Sequence, residues 1–166
     1  MKKIIYTLVI LLSSQLLAQK NMKIAYSDNQ LEQLKALEFF EYNYVKKAKK
    51  ELTEVKKTIT KYERGLAKLA KKSKVYKTRY AELKELKNEE KSHKILILYP
   101  SIYTKAIDFY VANNFVEQQK HMKLKMELEK QYKELSKKDF PNIAGEYSLY
   151  KKGKKRKPSK RTASSK

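Results

Sequence analysis

Apolar residues stand at Val45, Ala48, Leu52, Val55, Ile59, Tyr62, Leu66, Leu69, Tyr76, Tyr80 and Leu83, in alternating steps of three and four with a polar interruption at Ser73. Steps of three and four keep side chains on one helical stripe, and this run is a heptad seam. Ser27 and Gln30 have the spacing of a capping box, which predicts a helix start there. A turn at Arg64 and Gly65, or at residues 71–74, has no reason to conserve heptad phase. The phase is the same on both sides of Gly65 and Ser73, so the pattern predicts one helix over residues 29–88, about 90 Å long. Gly65 marks its soft point, at about 1 kcal/mol relative to alanine.

Pro100 disfavours helical geometry at Tyr99 and is expected to end that helix. The preceding apolar run, Ile95, Leu96, Ile97 and Leu98, with Tyr99, reads as a strand or buried connection. Exposed at the end of a hairpin, these five residues would be a candidate partner contact. Residues 101–137 then predict a second helix of roughly 55 Å, carrying Tyr103, Ile107, Tyr110, Phe115, Met122 and Met126 and a drifting stripe of Leu128, Tyr132 and Leu135. Folded back, it covers the first helix down to about Leu52. Phe140, Ile143, Tyr147, Leu149 and Tyr150 are the expected cover for Phe39, Phe40, Tyr42 and Tyr44. The fold class is all-α, a long antiparallel coiled-coil-like hairpin over residues 19–150.

Lysine and arginine number 40 against 18 acidic residues, for a formal charge of +22. Only Arg64, Arg79, Arg156 and Arg161 are arginine, so the field consists mainly of lysine point charges rather than forks suited to bases or phosphates. With Val45 at position a, Lys49, Lys56, Lys72, Lys77, Arg79 and Lys84 flank the seam, opposed only by Glu51 and Glu63. A tight parallel homodimer would set like charges together and is disfavoured. An antiparallel neighbour within the chain is expected instead.

Residues 151–166 hold nine basic side chains and no acidic one. This segment is expected to be a disordered arm, with Lys151, Lys152, Lys154, Lys155, Arg156, Lys157, Lys160 and Arg161 attracting anionic surfaces. At the other end, Lys2 and Lys3 precede an apolar stretch over residues 4–12 and a small-residue site ending at Ala18. That is the pattern of a cleaved export signal over residues 1–18, interrupted by Ser13, Ser14 and Gln15 and too short to span a bilayer. The expected location is periplasmic or secreted. The chain has no cysteine, so packing rather than disulfides must hold it together.

Candidate chemistry is sparse. His93 and His121 are the two histidines. Glu90 precedes His93 by three residues and Glu117 precedes His121 by four, but a dinuclear carboxylate site needs two Glu-x-x-His pairs and two further glutamates. Both histidines are expected to be solvated or lightly paired, with no metal or cofactor. No phosphate loop, metalloprotease pair or nucleophile motif is present in the sequence. Together with the small volume of a thin hairpin, this predicts a non-enzyme. Tyr62, Tyr76 and Tyr80 are expected to be seam residues, with rings buried and hydroxyls wet.

The segment KIAYSD, residues 23–28, followed by a long basic hairpin in an exported chain, resembles the opening strand and build of the Skp/OmpH periplasmic chaperones. That resemblance implies a holdase of envelope proteins. The residues themselves point to an adaptor or scaffold of the bacterial envelope, with protein partners on its helical faces and anionic lipid or polymer on its tail. A third class is a nucleic-acid-handling component of a secretion or conjugation apparatus, less favoured because arginine is scarce.

Overall fold

A computed structural model describes residues 25–155. The export-signal reading of residues 1–18 and the tail residues Arg156, Lys157, Lys160 and Arg161 lie outside the described residues. Within them the chain is all-α. Helix α1 spans Asp28–Phe40 and continues through a π-helical turn, Glu41–Val45, into α2, Lys46–Leu66. Helix α3 spans Lys74–Val111, α4 Phe115–Ser136 and α5 Ile143–Lys155.

The capping box forms as expected. Gln30 N donates to Ser27 Oγ at 3.4 Å and Ser27 N to Gln30 Oε1 at 2.7 Å. The π turn was not foreseen, and it solves a register problem. Leu37 and Phe40 face inward, and the next buried positions are Val45 and Ala48. The step of five from Phe40 to Val45 would swing an α-helix about 140° off its stripe, whereas a wider π turn keeps both on one side. Lys46 N reaches back to Glu41 O, and the exposed Asn43 amide donates to Phe39 O at 2.7 Å.

The expected continuous rod is not observed. Helix α2 ends at Leu66, residues 67–73 turn, and α3 starts at Lys74, with Ser73 Oγ accepting from Tyr76 N at 3.1 Å. Helices α2 and α3 are therefore the two arms of an antiparallel hairpin. Phase survives the turn because each arm needs a stripe facing the other. Val55, Ile59 and Leu66 of α2 pack on Leu83 of α3, with Tyr62, Leu69, Tyr76 and Leu86 around them. Tyr62 and Tyr76 are thus seam residues, while Tyr80 is 56 % exposed.

Pro100 does not end a helix either, since α3 runs straight through it. Ile95, Leu96, Tyr99 and Ile102 all face the larger core. Burying that face outweighs the local preference of the residue before proline. Ser101 Oγ donates to Leu98 O at 2.9 Å in the same stretch. The second helix begins at Phe115 rather than residue 101. The break is local, with Asn113 at φ 54 and Asn114 capping α4 by accepting from Glu117 N at 3.3 Å. Asparagine tolerates the left-handed region better than most residues.

Two cores result. The larger lies in a base where α1, the upper half of α3, α4 and α5 meet around Leu37, Phe40, Leu96, Tyr99, Ile107 and Leu128. The smaller runs inside the two-helix arm, which projects roughly 25 Å beyond the base. Phe140, in the link between α4 and α5, stacks with Phe40 at 5.8 Å and lies 4.4 Å from Tyr99 and 5.3 Å from Tyr132. Phe39 meets Tyr147 and Tyr150 at 5.9 and 5.0 Å. The expected cover is present with two exceptions: Tyr42 is left 71 % exposed, and Leu149 is 68 % exposed because it lies on the outer face of α5. Helix α5 is oriented by its cap, Gly145 N donating to Asn142 Oδ1 at 3.1 Å. A Cβ on Gly145 would come within 2.6 Å of that amide, so any other residue would displace the Asn142 cap.

Candidate functional site

Helices α1 and α3 place residues 26–33 beside residues 103–110, at the end of the base farthest from the arm. Tyr26 Oη donates to Asp108 Oδ1 at 2.7 Å and ties the start of α1 to the end of α3. Beside this contact lies a cleft of about 280 Å³ lined by the amides of Asn29, Gln30, Gln33 and Gln118 and the apolar surface of Tyr103 and Met122. None of its lining residues carries a formal charge. In a chain that is 35 % charged, such a surface is a local exception. Its rim is apolar, with Tyr110 edge-on to Phe115 at 6.0 Å and Val116 next to it, 51, 52 and 67 % exposed respectively.

Three tyrosine–carboxylate bonds hold the base. Besides Tyr26, Tyr44 Oη donates to Glu146 Oε2 at 2.5 Å and Tyr99 Oη to Glu129 Oε1 at 2.6 Å. The bonds to Asp108 and Glu146, with lesser burial, push the Tyr26 and Tyr44 hydroxyls up to about 12. Burial first and Glu129 second raise that of Tyr99. A raised folded pKa means that the protonated tyrosine stabilises the fold fully below the unfolded value near 10 and loses that contribution as pH climbs from 10 to 12. The double variant Tyr26→Phe, Tyr44→Phe is therefore expected to be less stable than the parent at pH 9 and to converge on it by pH 12. Urea midpoints across that range check this, and a constant gap would count against it.

At the junction of arm and base, His93 of α3 is 8 % exposed, and neither ring nitrogen has a hydrogen-bond partner. Glu51 Oε2 stands 3.8 Å from Nδ1 and Glu89 Oε1 3.6 Å from Nε2. His93 is thus lightly paired, as one of the two expected alternatives, but not solvated, because helix packing closes the junction over the ring. The neighbouring cleft, about 860 Å³, carries Glu51, Glu82, Glu85 and Glu89 on its walls. Among the described residues no group of three or more His, Cys, Asp or Glu side chains is placed to hold a metal ion. His121 Nδ1 is 2.9 Å from Glu117 O, and its ring tilts on Phe109 at 5.0 Å.

No match to the chain was found among protein-family models, curated proteins or solved structures.

The sequence-predicted contact at residues 95–99 is divided by the helix. Ile95, Leu96 and Tyr99 belong to the core, Ile97 is half-buried, and only Leu98 is well exposed, at 46 %. Five residues of an exposed loop would form one surface, whereas in a helix they spread around its axis. The tail reading also changes at its start. Residues 151–155 belong to α5, and Lys151 Nζ pairs with Glu32 and sits over the Tyr147 ring. Lys152 is exposed. Lys154 and Lys155 continue the helix.

The arm's end was not singled out from the sequence. Residues 61–79 contain Lys61, Arg64, Lys68, Lys71, Lys72, Lys74, Lys77 and Arg79 against the single acid Glu63. All eight cations are exposed. Glu63 pairs at 2.8 Å with Lys87, a residue outside this group. The charge was legible as a run, but only the turn at residues 67–73 gathers it onto one end.

Proposed function

We propose that the chain is an exported, non-enzymatic helical adaptor of the bacterial cell envelope, holding a protein partner at the end of its base while the arm and the basic tail face anionic material. The export-signal pattern of the sequence over residues 1–18 supports the address. The observation that carries the adaptor reading is the chemical asymmetry of the two ends. The base ends in an uncharged, amide-lined cleft with a Tyr110, Phe115 and Val116 rim, of the kind that fits a protein surface. About 55 Å away, the arm ends in cations.

Photo-crosslinking residues at Gln33 and Gln118 test the partner site in living cells. A discrete adduct at both positions, absent with the same residue at the exposed Thr60 of the arm, is the expected result. Adducts equally frequent at Thr60 would place the partner elsewhere or indicate non-specific contact.

The projecting two-helix arm favours one second reading, a holdase of Skp/OmpH-like build. A stable oligomer that suppresses aggregation of an unfolded outer-membrane protein would replace the adaptor with that reading.

A further inference from the structure

We infer that the distal end of the arm, residues 61–79, docks peripherally on an anionic phospholipid surface. The inference rests on the envelope-adaptor reading and adds the chemistry of the second attachment. Elsewhere among the described residues paired and unpaired lysines are interspersed, so that no other end of the fold gathers unpaired cations alone. Lys47, Lys57, Lys94, Lys120, Lys125, Lys133 and Lys151 all have carboxylate partners. Among the described residues, none of the eight cations at the arm's end has an ion pair within 4.0 Å, and their one acidic neighbour is engaged by Lys87.

The placement also opposes local stability. Helix α3 has no acid in its first turn, which instead carries Lys74 and Lys77. Positive charge at a helix N-terminus has the unfavourable sign for the macrodipole. Eight like charges gathered on the turn and the two helix ends it joins repel one another as well. Arg64 in the last turn of α2 has the favourable sign, but the lysines of the turn and of the start of α3 break a local rule with no carboxylate to offset them, which points to an external anionic partner.

Shape and residue type select lipid over nucleic acid. Two helix ends joined by a short turn form a convex knob roughly 20 Å across. Strand binding calls for a groove that follows the backbone, and base reading for arginine forks. A charged plane needs neither, and six of the eight cations are lysine point charges. Between them Ala67, Ala70 and Val75 are exposed, Val75 at 53 %. Tyr80, also exposed, stacks on Tyr76 at 6.0 Å and lies about 9 Å up the arm from Lys74. Tyrosine at that height suits the headgroup layer. No described helix is long and apolar enough to cross a membrane, so the contact is superficial.

The test is flotation of the full mature chain with vesicles of phosphatidylglycerol and phosphatidylethanolamine. The variant Lys68→Gln, Lys71→Gln, Lys72→Gln, Lys77→Gln should float on the order of 1,000-fold less tightly, from the affinity that basic residues near an anionic leaflet contribute. A control, Lys35→Gln, Lys50→Gln, Lys105→Gln, Lys130→Gln, removes the same charge from other exposed positions and should lose less than about fivefold. Circular dichroism should be unchanged in both. Equal losses in the two variants would make the attraction one of net charge or of the tail and overturn the inference. Tip-dependent binding to a short DNA duplex, with vesicle binding unaffected by the substitutions, would overturn it in favour of nucleic acid. Loss of the Gln33 and Gln118 adducts with vesicle docking intact would sink the adaptor reading alone.

Discussion

Replacing Phe40 by alanine is expected to cost about 3–5 kcal/mol, the range for deleting a fully buried aromatic ring. Phe40 is 0 % exposed. Its ring stacks on Tyr44 at 5.1 Å and on Phe140 at 5.8 Å, and it tilts against Tyr99 at 5.7 Å. Tyr44 belongs to the adjoining π turn, while Tyr99 lies in the middle of α3 and Phe140 in the link before α5, so one ring joins three segments of the chain. A domain of this size is stable by about 5–15 kcal/mol, and a loss of this magnitude is a large share of the whole. Urea unfolding followed by circular dichroism checks it. A cost under about 1 kcal/mol would mean that the surrounding rings close the gap and that Phe40 is not the centre of the base.

Spin labels at the exposed positions Lys49 and Lys84 should lie roughly 20 Å apart. Glu51 faces His93 across the hairpin, and Glu63 is bonded to Lys87 at 2.8 Å. That register puts Lys49 level with residues near 95. Lys84 is then about eleven residues along the neighbouring helix, some 16 Å axially, with the axes 8–10 Å apart. One uninterrupted helix would set the same labels about 50 Å apart. A measured separation near 50 Å would restore the continuous rod and dismantle the arm, and with it the gathering of cations at residues 61–79.

The rod expectation failed for an instructive reason. Heptad phase identifies residues that face a partner, but an antiparallel partner in the same chain demands the same spacing as a continuation. Local signals at Ser73 as a cap and at Gly65 near the helix end were available, yet both are weak beside a sustained stripe. The reverse holds at Pro100, where the local disfavour of helical geometry at Tyr99 is overridden by burial of the stripe formed by Ile95, Tyr99 and Ile102. In both cases the decisive quantity was tertiary burial. The break at Ala112, Asn113 and Asn114 has a local signal in its two asparagines, but apolar residues continue on both sides of it.

By itself, the sequence determined the helical class, the capping box at Ser27, the seam from Val45 to Leu83 and the aromatic cover that residues 140–150 lay over Phe39 and Phe40. These depend on spacing, capping chemistry and residue type, which are local properties of the chain. The tertiary structure alone decided that the seam folds on itself, that a π turn reconciles Phe40 with Val45, and that His93 is enclosed between Glu51 and Glu89. It also decided which apolar residues remained outside, leaving Tyr110, Phe115 and Val116 exposed while Ile95, Leu96 and Tyr99 were buried. A hydrophobic residue specifies that it should be covered, and its covering surface depends on which distant segment arrives there. Charge behaves likewise, since the cations of residues 61–79 become one site only when a turn at residues 67–73 brings two helix ends together.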